Sequence, residues 1–195
     1  MFDAIRHGLA NLFNFSGRDA RQSFWYYVLF LFVVQYGVSL LVTLPLTFGS
    51  MADSFRMASH GATPQEVNAA MAASMSSMLG ITMWVGVISG IAMILLLAAS
   101  FVRRLHDSGL SGWWAALPVA IHLVNIARMP VQMAQAQSAM IAMQTRSDPQ
   151  AFIGQFQGQV GWMLLGWGAL AAVIVLGVRK STPGDNRFGP EPDPA

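Results

Sequence analysis

Phe24-Trp-Tyr-Tyr-Val-Leu-Phe-Leu-Phe-Val-Val-Gln35-Tyr-Gly-Val-Ser-Leu-Leu-Val-Thr-Leu-Pro-Leu-Thr-Phe48 runs for 25 residues without a charged side chain. As a helix it would rise about 37 Å at 1.5 Å per residue, enough to cross the roughly 30 Å hydrocarbon core of a bilayer. It opens on four aromatic residues, Phe24 to Tyr27. Aromatic rings of this kind gather where membrane meets water. The stretch therefore reads as a membrane span.

Working outward, similar apolar runs occupy residues 78–101, 113–127 and 160–178. The third opens on Trp113 and Trp114 and contains Pro118. The expected fold is all-α, an integral membrane four-helix bundle over residues 24–178. An amphipathic segment (1–23) precedes it and a polar tail (179–195) follows. Composition agrees: 54% of residues are hydrophobic and only 10% charged, where a soluble domain carries about 25%. The net charge of +2 does not mark a nucleic-acid partner, because the basic residues are scattered at the ends of apolar runs and form no patch. The absence of cysteine excludes disulfides, thiolate catalysis and cysteine-ligated metals. No cleavable signal peptide is expected, since Arg6, His7 and Asn11 interrupt the first apolar residues. Phe2, Ile5, Leu9 and Leu12 recur at helical spacing, which predicts a short helix lying in the headgroup region.

Orientation follows from arginine and lysine, which accumulate on the cytoplasmic side. Arg6, Arg18 and Arg21 precede the first span, Arg103 and Arg104 lie between the second and third, and Arg179, Lys180 and Arg187 follow the fourth. Only Arg56, Arg128 and Arg146 fall on the other side. Both termini are expected in the cytoplasm. On the outer side, Thr63-Pro64-Gln65-Glu66 reads as a capping box with proline at the first helical position. Asp148-Pro149 reads as a second helix start, and Val131 to Gln144 is rich in helix formers. The second, third and fourth helices should thus project outward as a helical cap, with Pro130 marking a kink. Gly86/Gly90 and Gly154/Gly158 are spaced for close helix contacts.

Three polar stretches fall on the cytoplasmic face. They are Ser16-Gly-Arg18 with Arg21, Arg103-Arg-Leu-His-Asp-Ser-Gly-Leu-Ser-Gly-Trp-Trp114, and Pro183-Gly-Asp-Asn-Arg-Phe-Gly-Pro190. In this order around four spans the chain resembles the bacterial inner-membrane family of domain of unknown function 805, the YhaH-like proteins. The Arg-Arg-Leu-His-Asp turn ending in Gly-Trp-Trp and the closing Asn-Arg-Phe-Gly-Pro carry the resemblance. It implies a membrane fold and a shared cytoplasmic constellation, and brings no activity with it.

Two readings of that constellation compete. In one, Arg103 and Arg104 meet the negative end of a helix macrodipole and pair with Asp107. Asp185, Asn186 and Arg187 then fold back over a tight hairpin. In the other, Arg18, Arg21, Arg103, Arg104 and Arg187 converge on an anionic lipid headgroup or a phosphorylated ligand, with His106 and Asp107 beside it. No nucleophile motif, phosphate loop or metal-ligand spacing accompanies them, so neither a catalytic residue nor a cofactor is assigned. Inside the bilayer, Gln35, Ser89, His122 and Asn125 reach a common depth. That layer suggests either an ion path or, more simply, His122 hydrogen-bonded to Gln35 or Asn125 as helix glue. Met71, Met75 and Met78 have a spacing that soft copper would accept, although methionine is also an ordinary core filler. The expected protein is a non-catalytic inner-membrane component whose partners are the bilayer, anionic lipid, and another membrane protein or a second copy. A transporter subunit and a headgroup binder or enzyme are the alternatives.

Overall fold

The computed structural model describes the backbone of residues 1–144 and 149–192, and the side chains of residues 1–139 and 158–192. In chain order the elements are α1 (Phe2–Ala10), α2 (Arg21–Ser59), α3 (Pro64–Asp107), a single 3-10 turn (Gly112–Ala115), α4 (Ala116–Gln144) and α5 (Pro149–Gly177). Among the described residues there is no strand, only an isolated bridge between Asn186 and Gly189. Among the described residues, four helices are long and apolar enough to cross a membrane. Their apolar side chains point mostly away from the bundle, with Leu41, Trp84 and Leu164 each more than half exposed. Lipid solvates such a surface where water would not.

The helices outrun the bilayer. α2 has 39 residues and α3 has 44, lengths of about 58 and 66 Å against a hydrocarbon core of roughly 30 Å. The first span is read over residues 24–48, and the helix that carries it is longer than that run. α2 passes through Pro45 and continues to Ser59, so it projects alongside α3. Proline removes one backbone donor. Around it Thr43, Thr47, Ser50 and Ser54 each donate a hydroxyl back to a carbonyl three or four residues earlier. Such bonds keep polar side chains inside a helix. The α2–α3 connection is closed by Gly61 at φ +84°, a conformation that glycine adopts without penalty. Thr63 then starts α3 with the expected capping box: its Oγ1 accepts from Glu66 N at 3.3 Å, while Thr63 N donates to Glu66 Oε2 at 2.7 Å.

Neighbours in sequence are neighbours in space, α2 on α3, α3 on α4 and α4 on α5. Gly86 and Gly90 face Met129 and Ile126 of α4, and Gly80 faces Met133. The small residues let the helices approach, and flexible thioethers fill the remaining gaps. Gly158 meets nothing within 4 Å, and Gly154 lies outside the residues whose packing is described, as do Arg146 and Asp148. α4 runs through Pro130. The fully buried core sits at one end, where Phe24, Val28, Phe101, Leu105 and Ala115 cluster. That is the end at which the N-terminal segment and the C-terminal tail meet.

Candidate functional site

α3 ends on Arg103-Arg104-Leu105-His106-Asp107, and Gly109 at φ +75° turns the chain toward the 3-10 turn. Two extended segments lie across this corner, the stretch before α2 and the tail after α5. The three pieces are tied together by charge.

Asp107 is the centre, with no exposed surface. Its Oδ1 accepts from Arg18 Nε at 3.1 Å and Nη2 at 2.9 Å. Its Oδ2 accepts from Arg104 Nη1 and from the Ser181 hydroxyl. Its backbone carbonyl accepts from Thr182 N at 2.8 Å and Thr182 Oγ1 at 3.0 Å. The two arginines spend their other donors on the tail. Arg18 reaches the carbonyls of Gly184 at 2.6 Å and Thr182 at 2.7 Å. Arg104, also without exposed surface, reaches the carbonyls of Gly177 at 2.9 Å and of Arg179.

A second centre stands beside it. Asp19 accepts from Arg103 Nε at 2.9 Å, His7 Nε2 at 3.1 Å and Ser100 Oγ at 2.8 Å. Arg103 Nη1 donates to the carbonyls of Asn11 at 2.8 Å and Asn14, while its Nη2 is buried without a partner. Through Asp19 and His7 the network reaches α1. There Gly8 lies against the Tyr27 ring so closely that a Cβ would sit 2.6 Å from it.

The tail is pinned by Asn186, whose Nδ2 donates to the His106 carbonyl at 3.0 Å and to Thr182 Oγ1 at 2.7 Å. His106 Nδ1 donates to the Gly17 carbonyl at 3.2 Å, and its ring stacks on Phe188 with centroids 3.9 Å apart. His106 lies beyond the apolar run that ends at Phe101. Burial pushes its imidazole below the usual range, the bond to Gly17 pulls the other way, and the Arg187 charge adds to the depression.

Of the nine residues singled out at this face, the structure gathers Arg18, Arg103, Arg104, His106, Asp107 and Asn186. Arg21 and Arg187 stay exposed, the latter over the Phe188 ring. Asp185 is also exposed and accepts from Glu191 N. Asp19, His7, Ser100 and Ser181 were not foreseen. A signal existed for Asp19: the chain has only nine carboxylates, so an acid among arginine-rich segments is a natural partner for one of them.

The midplane residues do not form the expected pair. No hydrogen bond joins Gln35 to His122 or Asn125. Asn125 Nδ2 donates to the Ile121 carbonyl of its own helix, Ser89 does the same to Val85, and His122 Nε2 lies beside Gly90 of α3. The physical reason is topological: α3 stands between α2, which carries Gln35, and α4, which carries His122.

Chemically, the Asp107 carboxylate is saturated. All four donors on the Asp107 carboxylate come from the chain itself, and no group of three metal-ligating His, Cys, Asp or Glu side chains occurs among the described residues.

Four apolar helices fastened at one end by a buried ionic knot define a multi-pass α-helical membrane protein. Within that class, residues 12–190 match the family described as "Protein of unknown function (DUF805)", and the chain belongs to it. The match takes in every member of the knot except His7 and Asn11, and leaves α1 outside. No curated protein and no solved structure matches the chain.

Proposed function

We propose that this is a non-catalytic protein of the bacterial inner membrane, with both termini cytoplasmic and the ionic knot serving as the clasp that closes its cytoplasmic face. The observation that carries this reading is the state of Asp107, whose carboxylate is sealed from solvent and engaged on both oxygens. A catalytic acid or base needs an open approach to its substrate. The cations left over suit a lipid surface: Arg6, Arg21, Arg179, Lys180 and Arg187 are exposed around the knot. Each such residue near an anionic leaflet contributes on the order of 1 kcal/mol of attraction. The headgroup role thus passes from the buried arginines to these exposed ones, and a membrane partner or second copy would pack on the exposed helix faces.

Orientation is tested directly because the chain has no cysteine of its own. Ser59→Cys should react with a membrane-impermeant maleimide on intact cells, and Asp185→Cys only after permeabilisation. The reverse pattern overturns the assignment. The non-catalytic reading fails if a knot variant such as Asp107→Asn keeps full stability yet loses a deletion-complementing phenotype.

A further inference from the structure

Between α4 and α5 lies a groove of about 520 Å³, within the size range of small-ligand sites. Gln132, Gln159, Trp162, Gly166 and Leu170 are among the residues that line it. Gln159 stands immediately before the apolar run that begins at Val160. Leu170 follows eleven residues later, or about 16 Å along the helix. The groove therefore runs from one membrane interface to about the midplane, the depth of a single leaflet.

Arg128 shares a helix face with two of the lining residues, three positions after Asn125 and four before Gln132. Its guanidinium lies flat on Trp162, 3.6 Å from the ring centroid. Stacking uses the face of the group and leaves its in-plane N–H donors free. None of them bonds to a described residue, and Nη1 is buried without a partner. The described carboxylates of this end are engaged elsewhere, Asp53 with Arg56 and Glu66 with Thr63. An unpaired cation at the edge of hydrocarbon is costly, and the anion available at that depth is a lipid phosphate.

We propose that the α4–α5 groove binds one phospholipid of the leaflet opposite the termini. Its phosphodiester accepts from Arg128, with Gln132 and Gln159 beside it, and one acyl chain lies along Gly166 and Leu170. A planar guanidinium suits two phosphate oxygens at once.

The test uses the full chain in detergent with phosphatidylglycerol carrying a photoreactive group in its acyl chain. Diacylglycerol with the same chains serves as the phosphate-free probe. Labelling of the α5 peptide should fall about tenfold with diacylglycerol, and about tenfold in Arg128→Gln, as expected for losing one charge-assisted contact. Arg128→Lys should retain most of it. A Cβ on Gly166 would have ordinary room, 3.8 Å from Asn125 Nδ2, so Gly166→Leu should block the groove while keeping the charge. That variant carries the test if Arg128→Gln does not fold. Arg187→Gln, at the other end, should leave α5 labelling unchanged. Equal labelling by diacylglycerol, undiminished labelling in both groove variants, or α5-to-α5 crosslinks showing a second copy in the groove would each overturn the proposal.

Discussion

At the end of the bundle that carries the termini, Arg18, Arg103 and Arg104 are almost wholly buried, and nearly every donor meets an oxygen of the same chain. At the opposite end, Arg128 lies on Trp162 and donates to none of the described residues. The first group closes contacts between positions up to 171 apart in sequence. The second sits on a single pair of neighbouring helices. Burying a guanidinium costs several kcal/mol, and the cost is offset only when carboxylates and carbonyls replace the lost water completely. The terminal knot meets that demand at all but one donor, Arg103 Nη2, because three separate segments each contribute acceptors. The knot thus holds the fold together, whereas Arg128 is an open valence directed at the surroundings.

The largest effect should come from removing the hub. Asp107→Ala leaves Arg18 and Arg104 buried without their carboxylate, and breaking a buried pair from one side costs about 3–5 kcal/mol. Denaturant unfolding of the purified chain should show that loss, with the tail beyond Gly177 becoming sensitive to protease. An unchanged midpoint would remove the knot from its place in the comparison.

Much of this was legible beforehand. The four spans follow from four uncharged runs taken together with their flanks, the capping box from Thr63 and Glu66, and a close helix contact, though not its partner, from Gly86 and Gly90. The Arg104–Asp107 pair also follows from spacing, since residues three apart share a helix face. Asp19 did not, because its partner Arg103 lies 84 positions away and no periodicity in residues 11–20 gives it a direction. The continuation of α2 past Phe48 was not foreseen for a different reason. Hydropathy reports where lipid ends, while backbone hydrogen bonding decides where a helix ends, and the two need not coincide. Gln35 and His122 were matched by depth alone, which says nothing about the helix standing between them.

An intermediate effect tests how far the knot extends. α1 lies outside the family match, yet His7 reaches Asp19 and Gly8 is pressed against Tyr27. The Tyr27 ring has little freedom to retreat, being buried with its hydroxyl donated to the Leu96 carbonyl at 3.0 Å. Gly8→Ala should therefore lift α1 at a cost of about 1–3 kcal/mol, the usual range for overpacking. Faster amide exchange confined to residues 2–10, with the α3 corner still protected, is the expected pattern. Exchange spreading through residues 100–110 would make α1 part of the clasp itself.

The smallest effect belongs to the other end. In lipid-free detergent Arg128→Met gives up a single stacking contact on Trp162, worth about 0.5–1 kcal/mol at a partly exposed site. It creates no unpaired acid, because none among the described residues was paired to it. Its unfolding midpoint should stay close to that of the unaltered chain. Added phosphatidylglycerol should then separate the two, since a ligand that binds only the folded state raises stability according to its occupancy. The unaltered chain gains more than Arg128→Met, while Asp107→Ala responds like the unaltered chain from a lower starting point. If Arg128→Met instead unfolded as readily as Asp107→Ala without lipid, Arg128 would have to be holding helices together, and the contrast between a closed end and an open one would collapse.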